Sequence, residues 1–154
     1  MRQPILPVVG HCRCAATQFK VLTPPLMTFA CHCRDCQRLC ASAFSLSAMI
    51  PVEGFRITRG VPVARPLPGS PRHHHFCPDC ATLMFTRIDG IEERVNIRPT
   101  LCHDTSWAAP FIEVMTRDRV PWAATSARHS FDTAPTPAEF ADLSAQFIAF
   151  GATP

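Results

Sequence analysis

The chain has 154 residues, of which 47% are hydrophobic and 18% are charged, and its formal net charge is +3 at pH 7. A single domain is the default for this length, and such a chain can bury enough surface to fold without disulfides or metal ions. The sixteen prolines predict short strands and many turns, because proline interrupts helices and central strands. The arginines are scattered rather than packed into a run, so no nucleic-acid partner is expected.

The cysteine usage indicates metal binding rather than disulfides. The nine cysteines are an odd number, they are clustered, and no signal peptide is visible at the start of the chain. No apolar stretch approaches 18 residues, so no membrane span is expected. We therefore expect a cytoplasmic protein in which several thiolates bind metal, and ligand thiolates with bound zinc would bring the net charge to about zero. The sequence leaves the oligomeric state open.

The elements predicted in chain order are mostly short strands. Apolar or alternating stretches predict strands at 5–10, 17–22, 26–33, 42–50, 55–58, 82–88, 92–97 and 111–116. Asp89 and Gly90 predict a hairpin between the strands at 82–88 and 92–97. Asp35 is the predicted N-cap of one short helical turn at 35–41, and the four prolines at 61–72 predict a loop.

The C-terminal segment differs from the rest of the chain. Thr136 and Glu139 form a capping-box pattern with a proline at the first helical position, which predicts a helix near 137–149. Apolar side chains follow at helical spacing, namely Phe140, Leu143, Phe147 and Ile148. The fold class is therefore mainly β, with a β domain at 1–135 and a helix with its tail at 136–154.

Three separate cysteine groups have the spacing of metal ligands. Residues i and i+2 of a strand point to the same face, so Cys12 with Cys14, and Cys31 with Cys33, can each present two sulfurs to one ion. The C-x-x-C spacing of residues 77–80 is typical of a metal knuckle.

Spacing alone leaves the grouping of the sulfurs open. Two closed sites are possible, one of Cys12, Cys14, Cys31 and Cys33 and the other of Cys36, Cys40, Cys77 and Cys80. The alternative is a closed site of Cys12, Cys14, Cys77 and Cys80 with an open site of Cys31, Cys33 and Cys36. The difference matters because a four-ligand zinc is structural, whereas a three-ligand zinc keeps a position for water or substrate.

The three groups together resemble a known family. The motifs are Gly10-His11-Cys12-Arg13-Cys14, Cys31-His32-Cys33-Arg34-Asp35-Cys36-Gln37-Arg38 and Phe76-Cys77-Pro78-Asp79-Cys80-Ala81-Thr82. Ser42, Phe44 and the segment from Val114 to Trp122 extend the similarity over roughly residues 8–125. In these features the chain resembles the glutathione-dependent formaldehyde-activating enzymes, also called the centromere protein V-like family.

The resemblance implies a Mss4-like β-sandwich of short antiparallel strands with zinc-binding turns, and it implies two Zn²⁺ ions. Under it, Cys12, Cys14, Cys77 and Cys80 are structural ligands, and Cys31, Cys33 and Cys36 hold the catalytic zinc. It further implies carbon–sulfur lyase activity on S-hydroxymethylglutathione, so the expected partner is a small thiol such as a glutathione adduct.

The chain departs from the family pattern at several glycines. Ala15, Ala41 and Ala81 replace family glycines, and Pro99 opens a segment that is usually Gly-Thr-Leu-Asp. If those glycines serve a backbone with positive φ, alanine there costs ~1 kcal/mol, which zinc binding could absorb. These changes leave the zinc ligands intact, but they put the use of glutathione in question.

Other residues are weaker candidates. Cys40 could close the open zinc site, and Cys102 beside His103 could be a nucleophile with its base, although adjacent side chains rarely face each other. His32 lies between two ligands and is expected behind the site or at the surface, and the three histidines at 73–75 are expected on a strand. The alternative to an enzyme is a non-catalytic zinc module for macromolecular interaction, in which a protein ligand closes the second site.

Overall fold

The structure is a computed structural model that describes residues 3–151. These residues form eleven strands: β1 Val8–His11, β2 Gln18–Val21, β3 Met27–Cys31, β4 Ser45–Pro51, β5 Phe55–Arg59, β6 Val63–Ala64, β7 Arg72–Phe76, β8 Leu83–Ile88, β9 Ile91–Ile97, β10 Ile112–Val114 and β11 His129–Phe131. The helices are α1 Arg34–Cys40 and α2 Pro137–Gly151, and short 3-10 helices span Val52–Gly54, Pro99–Leu101 and Thr116–Asp118. This mainly β architecture with a C-terminal helix confirms the predicted fold class.

The strands form two sheets. The smaller sheet has the order β1-β2-β5, and the larger has the order β11-β10-β3-β4-β9-β8-β7-β6. Most pairs are antiparallel, but β10 runs parallel to both of its neighbours, β3 and β11. Cys31, at the end of β3, lies opposite Ser45 on one side and Val114 on the other, so its position is fixed by strands on both sides.

Two hydrophobic clusters hold these layers together. Alternation along β4 places Ala48 and Ile50 in one cluster and Met49 in the other, because successive side chains of a strand point to opposite faces. The first cluster joins the two sheets, with Phe19 of β2 fully buried in it. The second lies between the larger sheet and α2, where Phe147 packs edge-on to Phe111.

The capping box of α2 is confirmed. The backbone N–H of Thr136 donates to Glu139 Oε2 at 2.7 Å, and the backbone N–H of Glu139 donates to Thr136 Oγ1 at 3.3 Å. Leu143 and Phe147 face the core, whereas Ile148 lies on the solvent side of the helix. Within residues 3–151, no helix is long and apolar enough to cross a membrane.

Two local predictions need correction. The predicted N-cap Asp35 is wrong, because α1 begins at Arg34 and Cys33 occupies the cap position. The Cys33 sulfur accepts the Cys36 N–H at 3.4 Å, which is the bond that a capping side chain supplies. The predicted loop at 61–72 contains the two-residue strand β6, which pairs with β7.

Candidate metal centres

Four cysteines from two distant turns come together at one edge of the fold. The sulfurs of Cys12, Cys14, Cys77 and Cys80 all lie within 4.8 Å of one another. The Cys12–Cys14 and Cys14–Cys77 sulfur distances are 3.5 and 3.8 Å. Tetrahedral zinc with Zn–S bonds of ~2.3 Å places its sulfurs roughly 3.8 Å apart, whereas a disulfide requires about 2.05 Å. The spacing therefore fits a metal site and not a disulfide.

The two turns that carry these cysteines are built alike. The N–H of Ala15 donates to the Cys12 carbonyl at 2.9 Å, and the N–H of Ala81 donates to the Cys77 carbonyl at 3.0 Å. Both alanines have left-handed backbone, with φ of 61° and 56°. The predicted positive φ at these family-glycine positions is thus confirmed, and Ala41, with φ of 47°, behaves the same way at the end of α1.

Hydrogen bonds shift the pKa values of these sulfurs in both directions. The Ala16 backbone lowers the pKa of Cys14, but hydrogen bonds with the Cys80 and Cys12 sulfurs raise it to about 12 overall. The hydroxyl of Thr82 lies 3.1 Å from the Cys80 sulfur, and its hydrogen bond lowers the pKa of Cys80 to about 5. A hydrogen bond from Thr17 likewise lowers the pKa of Cys77. The backbone N–H of Thr17 also donates to the Cys12 sulfur at 3.2 Å. Thiolates are the form that binds metal, so these donors support the site.

The second cluster contains three cysteines. The sulfurs of Cys31, Cys33 and Cys36 lie within 4.8 Å of one another, and all three residues are half-buried. Among residues 3–151, no fourth Cys, His, Asp or Glu joins this group at that distance. Cys40, one helical turn after Cys36, stays outside it, and burial raises the pKa of its thiol. A metal held here would have three sulfur ligands and no fourth ligand from a Cys, His, Asp or Glu of the described residues.

The geometry matches the second of the two groupings that spacing allowed. The paired sulfurs do not meet through the predicted strand alternation, because β1 ends at His11 and β3 ends at Cys31. Cys14 lies in a turn and Cys33 is the cap of α1, so the curvature beyond each strand end brings the paired sulfurs together.

The three-cysteine cluster also contains a hydrogen-bonded pair of thiols. The hydrogen bond with Cys31 lowers the pKa of Cys36 to about 5, against the effect of burial, and the Ser45 side chain acts in the same direction. The same bond raises the pKa of Cys31. The shared hydrogen bond therefore favours one thiolate within this pair of sulfurs.

His32, the residue that follows β3, belongs to a buried polar network. His32 is fully buried, and its Nε2 lies 3.1 Å from Glu113 Oε2. That carboxylate also accepts hydrogen bonds from Arg119 at 2.9 Å, Thr125 at 2.8 Å and Ser130 at 3.0 Å. His32 thus anchors the cluster from behind and contributes no atom to the three-sulfur group. Burial acts to raise the pKa of Glu113, but these hydrogen bonds lower it overall.

Sequence reasoning missed Arg98, which follows β9 and is 8% exposed. Its guanidinium donates to the hydroxyls of Ser47 and Thr86, and its Nε has no acceptor within the described structure. The thiols of Cys31 and Cys36 are among the ionisable groups whose charges act on it. The sequence pattern predicts that a charged residue directly after an apolar strand is exposed, so no local signal indicates the burial of Arg98.

The remaining candidates have other environments. The histidines of β7 are on a strand as predicted: His74 Nδ1 lies 2.9 Å from the Thr86 hydroxyl, and His75 stacks on Phe85. Cys102 is buried, and burial raises its pKa to about 12, which disfavours a thiolate nucleophile. His103 has its ring against His11 instead.

A pocket of about 540 Å³ opens beside α1. Its wall combines two exposed guanidinium groups with the Trp122 ring, which is 79% exposed. Arg34 directly follows the ligand candidate Cys33 in the chain, but no cysteine of the three-cysteine cluster lines the pocket. Its lining residues are Arg34, Gln37, Arg38, Ala41, Ser42, Ala43, Val120 and Trp122.

The chain is similar to known proteins in sequence family and in fold. The family model described as "Glutathione-dependent formaldehyde-activating enzyme" matches residues 7–118. No curated protein shows significant similarity to the chain. A crystal structure of a Rhodobacter sphaeroides protein is similar in fold, with a TM-score of 0.52 and 19% identity, over 62% of this chain and 87% of that one.

Proposed function

The chain belongs to the glutathione-dependent formaldehyde-activating enzyme family, and on this basis we propose that it is a zinc-dependent carbon–sulfur lyase. The proposed substrate is a small thiol–aldehyde adduct similar to S-hydroxymethylglutathione. The observation that carries the proposal is the three-cysteine cluster, which is half-buried and has no fourth protein ligand within the described residues.

The donor set fits zinc at both clusters. All seven grouped donors are sulfur, which is the chemistry of structural and thiolate-rich zinc sites. Cys12, Cys14, Cys77 and Cys80 would hold a structural ion, and Cys31, Cys33 and Cys36 would hold the catalytic one. A zinc ion with an open position supplies a Lewis acid that binds a thiol sulfur or polarises an oxygen.

The proposed reaction is balanced without another cofactor. In the adduct, the carbon–sulfur bond breaks, its electron pair stays on sulfur, and the hydroxyl oxygen forms the carbonyl of the aldehyde. The hydroxyl proton leaves, and the sulfur is released as a thiol. The chain contributes a fixed three-sulfur face, because Cys31 is held between two strands and Cys33 caps α1.

The pocket beside α1 supports a thiol that carries acidic groups. Arg34 and Arg38 place two positive charges in its wall, where the carboxylates of a peptide thiol would pair with them. The Gln37 side chain donates to the carbonyls of His32 and Asp118, at 2.6 and 2.9 Å, which fixes α1 against the strand end. We also propose a reducing cytoplasmic setting, since the nine cysteines are free.

The test is exchange between formaldehyde with glutathione and their adduct, followed by NMR. The zinc-loaded protein should accelerate exchange, and Cys36→Ala should remove both the acceleration and one zinc ion. Cys40→Ala is the matched control, because it alters the same helix but leaves both clusters intact. No acceleration by wild-type protein with two bound zinc ions would refute the glutathione version of the proposal.

A second comparison addresses the pocket. Arg34→Gln with Arg38→Gln should slow the reaction of glutathione about 2- to 30-fold and leave that of the neutral thiol 2-mercaptoethanol unchanged, since each exposed charge pair is worth roughly 0.2–1 kcal/mol. Equal effects on both thiols would show that the pocket does not recognise substrate charge.

A further inference from the structure

Arg98 is a buried cation without a carboxylate partner. The ion pairs formed within residues 3–151 use His32, Glu113, His73, Asp89 and Arg119, and none of them includes Arg98. Its side-chain partners are two neutral hydroxyls. Burial lowers the pKa of the guanidinium, yet this group keeps its proton in proteins. An isolated buried cation is unfavourable, so its position requires a compensating negative charge nearby.

The backbone places that guanidinium beneath the three-cysteine cluster. Arg98 donates to Ser47 of β4, and Ser45, two residues earlier, projects from the same face of that strand. Ser45 lies opposite Cys31 in the strand register, and its side chain is hydrogen-bonded to Cys36. The thiols of Cys40, Cys36 and Cys31 are close enough to interact electrostatically with Arg98, and the last two belong to the cluster.

Charge counting then identifies the compensating group. Three thiolates with one divalent ion carry a net charge of −1, which one guanidinium cancels. The four-cysteine site would carry −2, and it includes an exposed cysteine, Cys14, so water can screen its charge.

We propose that Arg98 is the buried counter-charge of the three-cysteine metal centre and so selectively strengthens metal binding there. The proposal rests on the metal that the proposed function places at this cluster, but it does not depend on the lyase reaction. Arg98 is not a ligand and acts through its charge, because its hydrogen bonds in the described structure go to the hydroxyls of Ser47 and Thr86.

The test is the zinc affinity of each site, measured by competition with a chromophoric chelator. In Arg98→Gln, the three-cysteine site should lose about 10- to 100-fold in affinity, as is usual for supporting residues around a metal, while the four-cysteine site keeps its affinity. Arg98→Lys keeps the charge and should restore affinity to within a few-fold of wild type. Cobalt substitution provides a second readout, since the sulfur-to-cobalt absorption should decrease for one site and not for the other.

Two variants separate charge from packing. Arg94→Gln is the matched control from β9, the strand that precedes Arg98, since Arg94 is partly buried but its guanidinium packs over the Phe140 ring at 4.6 Å. Ser47→Ala removes a hydroxyl partner and retains the guanidinium, so it should leave zinc affinity within a few-fold of wild type. If Arg98→Gln does not fold, Arg98→Lys still tests the proposal, because a loss of 10-fold or more in a variant that keeps the positive charge would overturn it.

The outcomes are distinct. A loss of 10-fold or more in Arg98→Lys or Ser47→Ala, an equal loss at both sites in Arg98→Gln, or unchanged affinity in that variant would overturn the proposal. Two zinc ions with no lyase activity in wild type would instead refute the proposed function and leave the role of Arg98 standing.

Discussion

Replacing alanine by glycine is predicted to stabilise the protein at the three left-handed alanines and to destabilise it within a helix. Ala15, Ala41 and Ala81 have φ of 61°, 47° and 56°. An L-residue pays about 1–2 kcal/mol in this region, whereas glycine adopts it freely but loses ~0.5–1 kcal/mol in chain entropy on folding. Replacement by glycine should therefore gain roughly 0.5–1 kcal/mol at each position.

The triple variant of these alanines to glycine should be more stable than wild type by about 1.5–3 kcal/mol if the sites are independent. For a domain of this length, that corresponds to an increase in melting temperature of roughly 3–12 °C. The measurement is urea and thermal unfolding of the zinc-loaded protein. Ala41 is the simplest single site, because it lies outside the two turns of the four-cysteine cluster. It ends α1, where the N–H groups of Ala41 and Ser42 donate to the carbonyls of Arg38 and Gln37.

The matched control is Ala145→Gly, at an exposed position within α2. There the helical backbone favours alanine, so the same substitution should destabilise the protein by about 1 kcal/mol. If the triple variant is destabilised like this control, the left-handed backbone does not strain these alanines and the reasoning fails.

Three further predictions concern other parts of the molecule. Glu113→Gln should lower the free energy of unfolding by about 2–3 kcal/mol, because it weakens charge-assisted hydrogen bonds to a buried carboxylate. The measurement is urea unfolding, with the exposed Glu53→Gln as the control. If both variants are as stable as wild type, the prediction is wrong. Burial lowers the pKa of His74 to about 4, so the folded protein takes up this proton later than the unfolded chain and loses stability as pH falls from 6.5 to 4. His74→Gln should lose less between pH 7 and 5 by thermal unfolding, and an equal loss would exclude a role for His74. Cys77→Ser should reduce bound zinc from two ions to one by elemental analysis, and retention of both would exclude the four-cysteine site as a zinc site.

Local signals predicted the secondary structure well where the cause is local. The Asp89-Gly90 turn joins β8 and β9, and Gly90 has the positive φ of 76° that such a turn requires. The capping box of Thr136 and Glu139 likewise acts within four residues. The cap of α1 was wrong, because the rule for oxygen side chains favoured Asp35, whereas the sulfur of Cys33 takes that role here.

Long-range features could not be predicted in the same way. Cysteine spacing does not specify which turns meet, and the four-cysteine cluster forms because the turn after β1 reaches the turn between β7 and β8. The burial of Arg98 depends on Ser47 and Thr86, which are far from it in sequence. The parallel position of β10 between β3 and β11 also arises from tertiary packing, and it is what brings Glu113 to His32.

The four-cysteine cluster also has a consequence for the unfolded chain. Cys14 follows a strand of the small sheet, Cys77 follows a strand of the large one, and 63 positions separate them. An ion bound to both cysteines would close a long loop. Closing a loop of this length by a fixed link lowers the entropy of the unfolded chain, which is worth about 4 kcal/mol. Unlike a disulfide, this link could be removed by a chelator without any reductant, so metal supply would set how firmly the two sheets stay joined.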